Sequence, residues 1–325
     1  MKRSAVLLVS LFLLALVPTV VAAQGLLGAG LSGLPVVGGF LGGPAAGACD
    51  EAPFPRAVTE AYVGYMDHRP GATFGFSTGG PGLLNAFEVK HNYPLRGVWL
   101  GLSETVALNE QVGLFASGWY LLPSNFTSEE FYNSDTAHRR WNTNTQWWFV
   151  DGLASVNVGN GFSLLGGLRY DRYTTRFKDP YDATGVLSLG SDTADVMADN
   201  WIPLAGAQVA CIGTESKLIF RAVGFPVLLG NIKYNQALGG ATAFEARGNY
   251  RNGYFLEFFA QYARKFGPGQ VGLFGRWNGT HGTVNLDVDA LPNAGNAEFD
   301  LSLNRFSWTL GASFSVPLSF NAPFM

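Results

Sequence analysis

The run NTQWWFVDGLASVNVGNGFSLLGGLRYDRY, from Asn144 to Tyr173, sets Asp151, Arg169 and Asp171 among tryptophan, valine, leucine and glycine. Glu257, Gln261 and Arg276 stand in similarly apolar surroundings further along the chain. Carboxylates and guanidiniums in such company can pair with one another, because a lone charge taken out of water costs several kcal/mol whereas a pair with good geometry recovers most of that. These six residues are expected to share one enclosed space, with Arg169 and Arg276 bridging carboxylates. A second acidic group, Asp179, Asp182, Asp192 and Asp195, offers the hard oxygen ligands that suit calcium. Its spacing fits no EF-hand, so a solvated acidic loop is expected there, with no metal and no cofactor.

The elements that must carry these charges follow from the period of the surrounding residues. Trp148, Val150, Ala154, Val156 and Val158 share one parity, and Asp151, Ser155 and Asn157 the other. After Gly159-Asn160-Gly161 the alternation resumes, with Phe162, Leu164, Leu168 and Tyr170 against Ser163, Gly167, Arg169 and Asp171. Period two on both sides of a glycine-rich turn is a β-hairpin. Each arm exceeds the roughly 9 to 11 residues of a tilted membrane strand, whereas a spanning helix would pay about 2.5 to 3.5 kcal/mol for each central charge.

Tight turns recur at Asn109 to Gln111, Gly159 to Gly161, Gly213 to Ser216 and Gly267 to Gln270. Longer polar segments separate them, near Asp67 to Tyr93, Pro123 to Thr143, Lys178 to Ala198, Asn235 to Asn249 and Asn285 to Glu298. Strands are read at Ala57 to Met66, Leu95 to Leu108, Val112 to Leu122, Thr145 to Val158, Phe162 to Phe177, Trp201 to Cys211, Lys217 to Lys233, Tyr250 to Lys265, Gln270 to Val284 and Phe299 to Val316. The fold class expected is all-β, a transmembrane antiparallel up-and-down β-barrel of about ten strands, with eight or twelve as alternatives. Pro203 and Pro226 call for bulges in their strands. A soluble lipocalin-like barrel also alternates, but its charges would face outward, whereas here Trp148, Tyr170, Trp201, Tyr254, Tyr262 and Trp308 share the greasy face.

Composition agrees: 325 residues with a net charge of -3, 14% charged, 14% aromatic and 42 glycines carry no basic excess that would point to nucleic acid. Residues 1-23 read as a secretory signal, with Lys2 and Arg3 before an apolar run and small residues at its end. Residues 24-54 are a Gly/Leu/Ala/Pro-rich periplasmic tail, and 55-325 the barrel. Both cysteines, Cys49 before the first strand and Cys211 before the turn at Gly213, fall at the periplasmic end, in an oxidising compartment where they can pair.

With its signal, short turns, long outer segments and aromatic-rich last strand FSWTLGASFSVPLSF, the chain resembles the bacterial outer-membrane β-barrel proteins. That resemblance implies residence in the cell outer membrane of a diderm bacterium, in contact with outer-membrane lipid, and handling by the barrel-assembly machinery. Phe314, Val316, Leu318 and Phe320 are similar to the assembly signal of that group, although NAPFM follows them. Basic loop residues near His138, Arg139 and Arg140 could touch lipopolysaccharide phosphates. Oligomeric state has no signature in the chain.

The size and strand number are similar to the omptin proteases, in which an Asp-x-Asp and an Asp-x-His pair sit on the outer rim. Asp287-Val288-Asp289 matches the first by spacing, and no Asp-x-His is present. Outer-membrane phospholipases and lipid A deacylases present His-x-Ser, and the nearest match is His281-Gly282-Thr283, where a hindered threonine replaces serine. The expected role is therefore structural, adhesive or narrow-pore, with a rim hydrolase, protease or esterase, as the alternative. Gly75 to Gly79 fits G-x-S-x-G but runs into GPG rather than a helix, and Gly267 to Gly272 fits G-x-G-x-x-G but joins two strands.

Overall fold

The computed structural model describes residues 57–79, 87–132, 137–159, 161–182, 190–212, 215–238, 241–288 and 298–318, and among them there is no helix. The strands are β1 (Ala57–Gly79), β2 (Phe87–Ala107), β3 (Val112–Tyr132), β4 (Ala137–Gly159), β5 (Phe162–Asp182), β6 (Thr193–Ile212), β7 (Ser216–Phe225), β8 (Leu229–Leu238), β9 (Ala241–Phe266), β10 (Gly269–Val288) and β11 (Glu298–Leu318). Each pairs antiparallel with its neighbours, and β1 pairs with β11, which closes the ring. β7 and β8 both bridge β6 to β9 and together occupy one place, so the wall has ten positions. Closure leaves no edge strand to aggregate.

The short turns lie where the glycine and asparagine clusters put them. Asn109 Oδ1 accepts from the backbone N–H groups of Gln111 (2.8 Å) and Val112 (2.7 Å), and Leu108 N–H reaches the Val112 carbonyl at 2.9 Å, so the β2–β3 turn needs no other support. In the β4–β5 turn Gly161 takes φ +73°, a conformation that glycine adopts without strain.

At the other end the structure corrects the expected long loops. Most of those segments are strand, and the elements reach 20 to 26 residues apart from the split β7 and β8. About 9 to 11 residues suffice to cross a bilayer, so roughly half of each long strand stands clear of the membrane. The outward face marks the change. Leu102, Val150, Leu273 and Leu310 form an exposed apolar band, Leu310 at 69%. Above it runs an aromatic ring that includes Tyr120, Trp148, Tyr170, Trp201, Trp277 and Trp308, with neighbouring rings centred 4.8 to 6.2 Å apart in the pairs Tyr170–Trp201, Trp148–Tyr170 and Trp277–Trp308. Beyond it the same face carries Gln146, Asn144 and Asn142 on β4 and Arg172, Thr174 and Arg176 on β5. Aromatic residues at that boundary are the interfacial girdle of a membrane barrel.

Inside, the barrel is filled. Trp99, Trp119, Phe149, Phe259 and Phe274 pack across the lumen, with Trp119 and Phe274 centred 5.6 Å apart and Phe259 and Phe274 stacked at 6.0 Å. Phe274 lies over Gly311, where a Cβ would come within 2.7 Å of its ring, so the glycine is what lets the ring reach the wall.

Candidate functional site: charge layers in the lumen

Among the described residues of the membrane-spanning lumen, three ion clusters succeed one another between the aromatic side chains. The lowest joins Lys217 of β7 to Glu60 of β1; Gln261 of β9 donates to Glu60 at 3.0 Å and to Ser313 Oγ at 2.9 Å. Alternation along β1, β7 and β9 turns all three side chains inward, and the closed ring brings strands distant in sequence face to face.

Glu257 is the centre of the middle cluster. Its carboxylate receives Arg169 Nη2 at 2.9 Å and Arg276 Nε at 2.9 Å, and Arg221 Nη2 lies 3.7 Å away. Arg169 also forks onto Asp151, with Nη2 to Oδ2 at 2.8 Å, and Ser117 Oγ donates to the same Asp151 oxygen at 3.0 Å. Three guanidiniums thus share two carboxylates, and rings take up the remaining field. Arg169 sits 4.1 Å from the centre of Phe149 and 4.5 Å from Phe255, Arg276 4.2 Å from Phe149, and Arg221 4.5 Å from Phe115. Stacking a cation on an aromatic face in a desolvated place is worth about 2 kcal/mol or more.

In the upper cluster Asp171 accepts from Arg305 Nη2 (2.9 Å), Trp147 Nε1 (2.7 Å) and Asn200 Nδ2 (2.8 Å), and the Arg305 guanidinium lies 4.7 to 4.8 Å from Tyr173 and Trp147. The six residues expected to form one network are therefore all lumenal and buried but divide into three layers. Asp151, Arg169, Glu257 and Arg276 meet directly, Asp171 belongs with Arg305, and Gln261 with Glu60. Sequence reasoning passed over Glu60, Lys217, Arg221 and Arg305. The signal was parity: Arg305 is in phase with Ser307 and Thr309, and Arg221 out of phase with the exposed Phe220.

Above the aromatic girdle, outside the membrane, the filled lumen holds another acid. Trp141 Nε1 donates to Glu130 at 2.5 Å, and His91 Nδ1 lies 3.9 Å from the same carboxylate, its ring 4.7 Å from Phe177. Burial brings His91 down to about 3, so it is neutral at physiological pH. Burial also pushes Glu130 up to about 6, against the opposing bond from Trp141. The folded state then holds its proton more tightly than the unfolded one, so the contribution is complete below the ordinary carboxylate value and is lost as pH rises through about 6. A loss of about 2 kcal/mol is expected across that window, read as a falling thermal midpoint between pH 4.5 and 7. Glu130→Gln should flatten the curve, and an unchanged slope in that variant would assign the titration elsewhere.

The rim candidates are placed differently. His281 and Thr283 lie on the outward parity of β10, where His281 Nδ1 contacts the Asn304 side chain and its ring is 5.5 Å from Tyr254. Among the described residues these side chains, and no acid, are what His281 meets. Asp289 and the side chain of Asp287 lie outside the described residues. Of the acidic group, Arg176 reaches Asp195 at 2.7 Å and Arg139 reaches Asp192 at 3.7 Å; Asp182 is in register with Arg139 and Asp179 is exposed. Among the described residues no three acid, histidine or cysteine side chains gather as a metal site would require. Cys211 lies in register with Leu218 at the short-turn end of β6, and Cys49 is outside the described residues.

No family model matches the chain, and no curated protein matches it. Among solved structures it is similar to the outer membrane protease OmpT of Escherichia coli, with a TM-score of 0.60 and 11% identity over 82% of this chain and 100% of that one. The toluene transporter TodX of P. putida (TM-score 0.34, 8% identity, 83% and 92% covered) and the attachment invasion locus protein Ail of Yersinia pestis (0.25, 9%, 80% and 99%) superpose too loosely to add to this. At this identity the likeness to OmpT is one of fold, and the fold is that of the bacterial outer-membrane β-barrels.

Proposed function

We propose that the protein is a sealed barrel of the bacterial outer membrane, a structural or adhesive platform that carries its long strands above the lipid rather than an open pore. The observation that supports this best is the succession of the Glu60, Glu257 and Asp171 clusters, with tryptophan and phenylalanine rings between them, across the whole lumen. Each layer locks strands from opposite walls, so a permeating ion would have to break pairs that cost about 3 to 5 kcal/mol to open one-sidedly. Outward Arg172, Arg176 and Lys178 above the aromatic girdle give lipopolysaccharide phosphates something to meet, and the alternating last strand suits the barrel-assembly machinery. Liposomes carrying the protein should retain an entrapped small sugar as well as empty ones do. Rapid efflux would reject the sealed reading.

The tail belongs to the same proposal. A Cys49–Cys211 bridge would tie residues 24-54 to the barrel base, closing a long loop worth up to about 5 kcal/mol in the chain-entropy account. Alkylation of the denatured, unreduced protein is expected to label neither thiol, and reduction to lower the thermal midpoint. Labelling of Cys211 before reduction would exclude the bridge.

A further inference from the structure

Among the described residues the wall is interrupted on both sides of the β7–β8 place within the lipid-facing band: toward β9, where 250–254 pair with neither β7 nor β8, and toward β6. β6 pairs with β7 up to Ala205–Gly224 and with β8 from Trp201–Leu229, and 202–204 pair with neither. Three residues on β6 face four, 225–228, on the other side, and each stretch contains a proline, Pro203 and Pro226. Proline has no N–H to give the ladder, so both sides of this seam are short of hydrogen bonds where lipid offers none in return. Trp201, Val227 and Leu229 flank it on the outside, 49%, 37% and 51% exposed. Another interruption, between 93–98 of β2 and 122–128 of β3, stands above the girdle and is bridged by Ser124 Oγ donating to the Arg96 carbonyl.

Behind the seam toward β6 lies a second apolar cluster, distinct from the aromatic one: Leu153, Leu165, Ile202, Leu204 and Phe255 on the inward face. Leu228, from the interrupted stretch itself, joins that cluster and rests on Gly253, where a Cβ would come within 2.8 Å of its Cδ1. Arg221 marks the far side, one inward step along β7 from Val223, and its cation lies over Phe115, which packs against the same cluster. Arg221 Nε is buried with no hydrogen-bond partner among the described residues, and its nearest carboxylate, Glu257, is 3.7 Å away and already held by Arg169 and Arg276. The middle cluster is one anion short of balance.

The geometry points to a lateral site for a single-chain carboxylic acid amphiphile drawn from the surrounding membrane, its head on Arg221, its chain along Ile202, Leu204 and Leu228, and its tail leaving through the Pro203–Pro226 seam. An added carboxylate would match the cation excess and give Arg221 Nε an acceptor, and an apolar chain would replace Leu228 against the cluster. This rests on the barrel's lying in a membrane and not on its lumen being closed to ions.

A nitroxide-labelled stearic acid and its methyl ester, titrated into the folded full-length protein in detergent micelles, test it through quenching of tryptophan fluorescence. The acid should quench saturably at one equivalent per barrel and bind at least tenfold tighter than the ester. Arg221→Gln should bring the acid down to the level of the ester, and Ile202→Trp, which takes the place along Leu204 and Leu228 that the chain would occupy, should abolish both, with heat-shifted electrophoretic mobility reporting that each variant has folded. The comparison of acid with ester needs no variant, so a misfolded Arg221→Gln leaves the proposal open to refutation. Equal quenching by the two probes that rises linearly with probe-to-detergent ratio would overturn the site. A sealed barrel would still retain sugar and block current in that event, so the two readings fail separately.

Discussion

Glu257→Gln is expected to destabilise the folded barrel by about 3 to 5 kcal/mol, the cost of leaving buried charge without its partner. The amide keeps the shape and one acceptor oxygen, so packing is preserved and the loss reports charge. Arg169 and Arg276 both contact this carboxylate at 2.9 Å and Arg221 at 3.7 Å. Without it three guanidiniums answer to Asp151 alone. Rings temper the repulsion but do not neutralise it, because an aromatic face offers a quadrupole and no net charge. Urea unfolding in micelles would measure the change, and Glu257→Gln/Arg276→Gln should recover a large part of it by removing one cation with the anion. A single variant within about 0.5 kcal/mol of the parent, the range of an ordinary surface change, would show that water solvates the cluster.

Arg169→Leu should both weaken the barrel and open it. This guanidinium joins Asp151 of β4 to Glu257 of β9, and it lies over the rings of Phe149 and Phe255. Its removal leaves Asp151 with the Ser117 hydroxyl as its described hydrogen-bond donor, a loss of about 3 kcal/mol for a buried pair broken on one side. The leucine is shorter, so the lumen also gains room beside an uncompensated carboxylate, which favours cations. A thermal midpoint several degrees lower is expected, together with small cation-selective currents. Current without destabilisation, or destabilisation without current, would separate the structural role of Arg169 from its role as a stopper.

How far the sequence carries this picture depends on where alternation survives. Within the bilayer it survives well: Val150 and Leu168 outside with Asp151 and Arg169 inside require a barrel wall and place the charges in its lumen before any contact is known. The turns were legible for a similarly local reason, since Asn109 and Gly161 supply the conformations their turns use. Above the girdle the outward face turns polar, so Asn142, Asn144 and Gln146 no longer contrast with the inward Thr143 and Thr145, and strand reads as loop. Which lumenal charges meet is set by the stagger of strands around the ring. That is why Asp171 pairs with Arg305, 134 residues away, and not with Arg169 two residues back on its own strand. The Pro203–Pro226 seam was half visible, as prolines inside strands; that they face one another is a fact of register.

The most direct test of a lumen closed by its own charge layers is the current through the unmodified protein in a planar bilayer, recorded at neutral pH in molar potassium chloride with Arg169→Leu as the comparison. The account predicts no steps above the noise of the bare membrane from protein whose insertion is confirmed, and measurable current from the variant. Large, long-lived and uniform steps from the unmodified chain would contradict it.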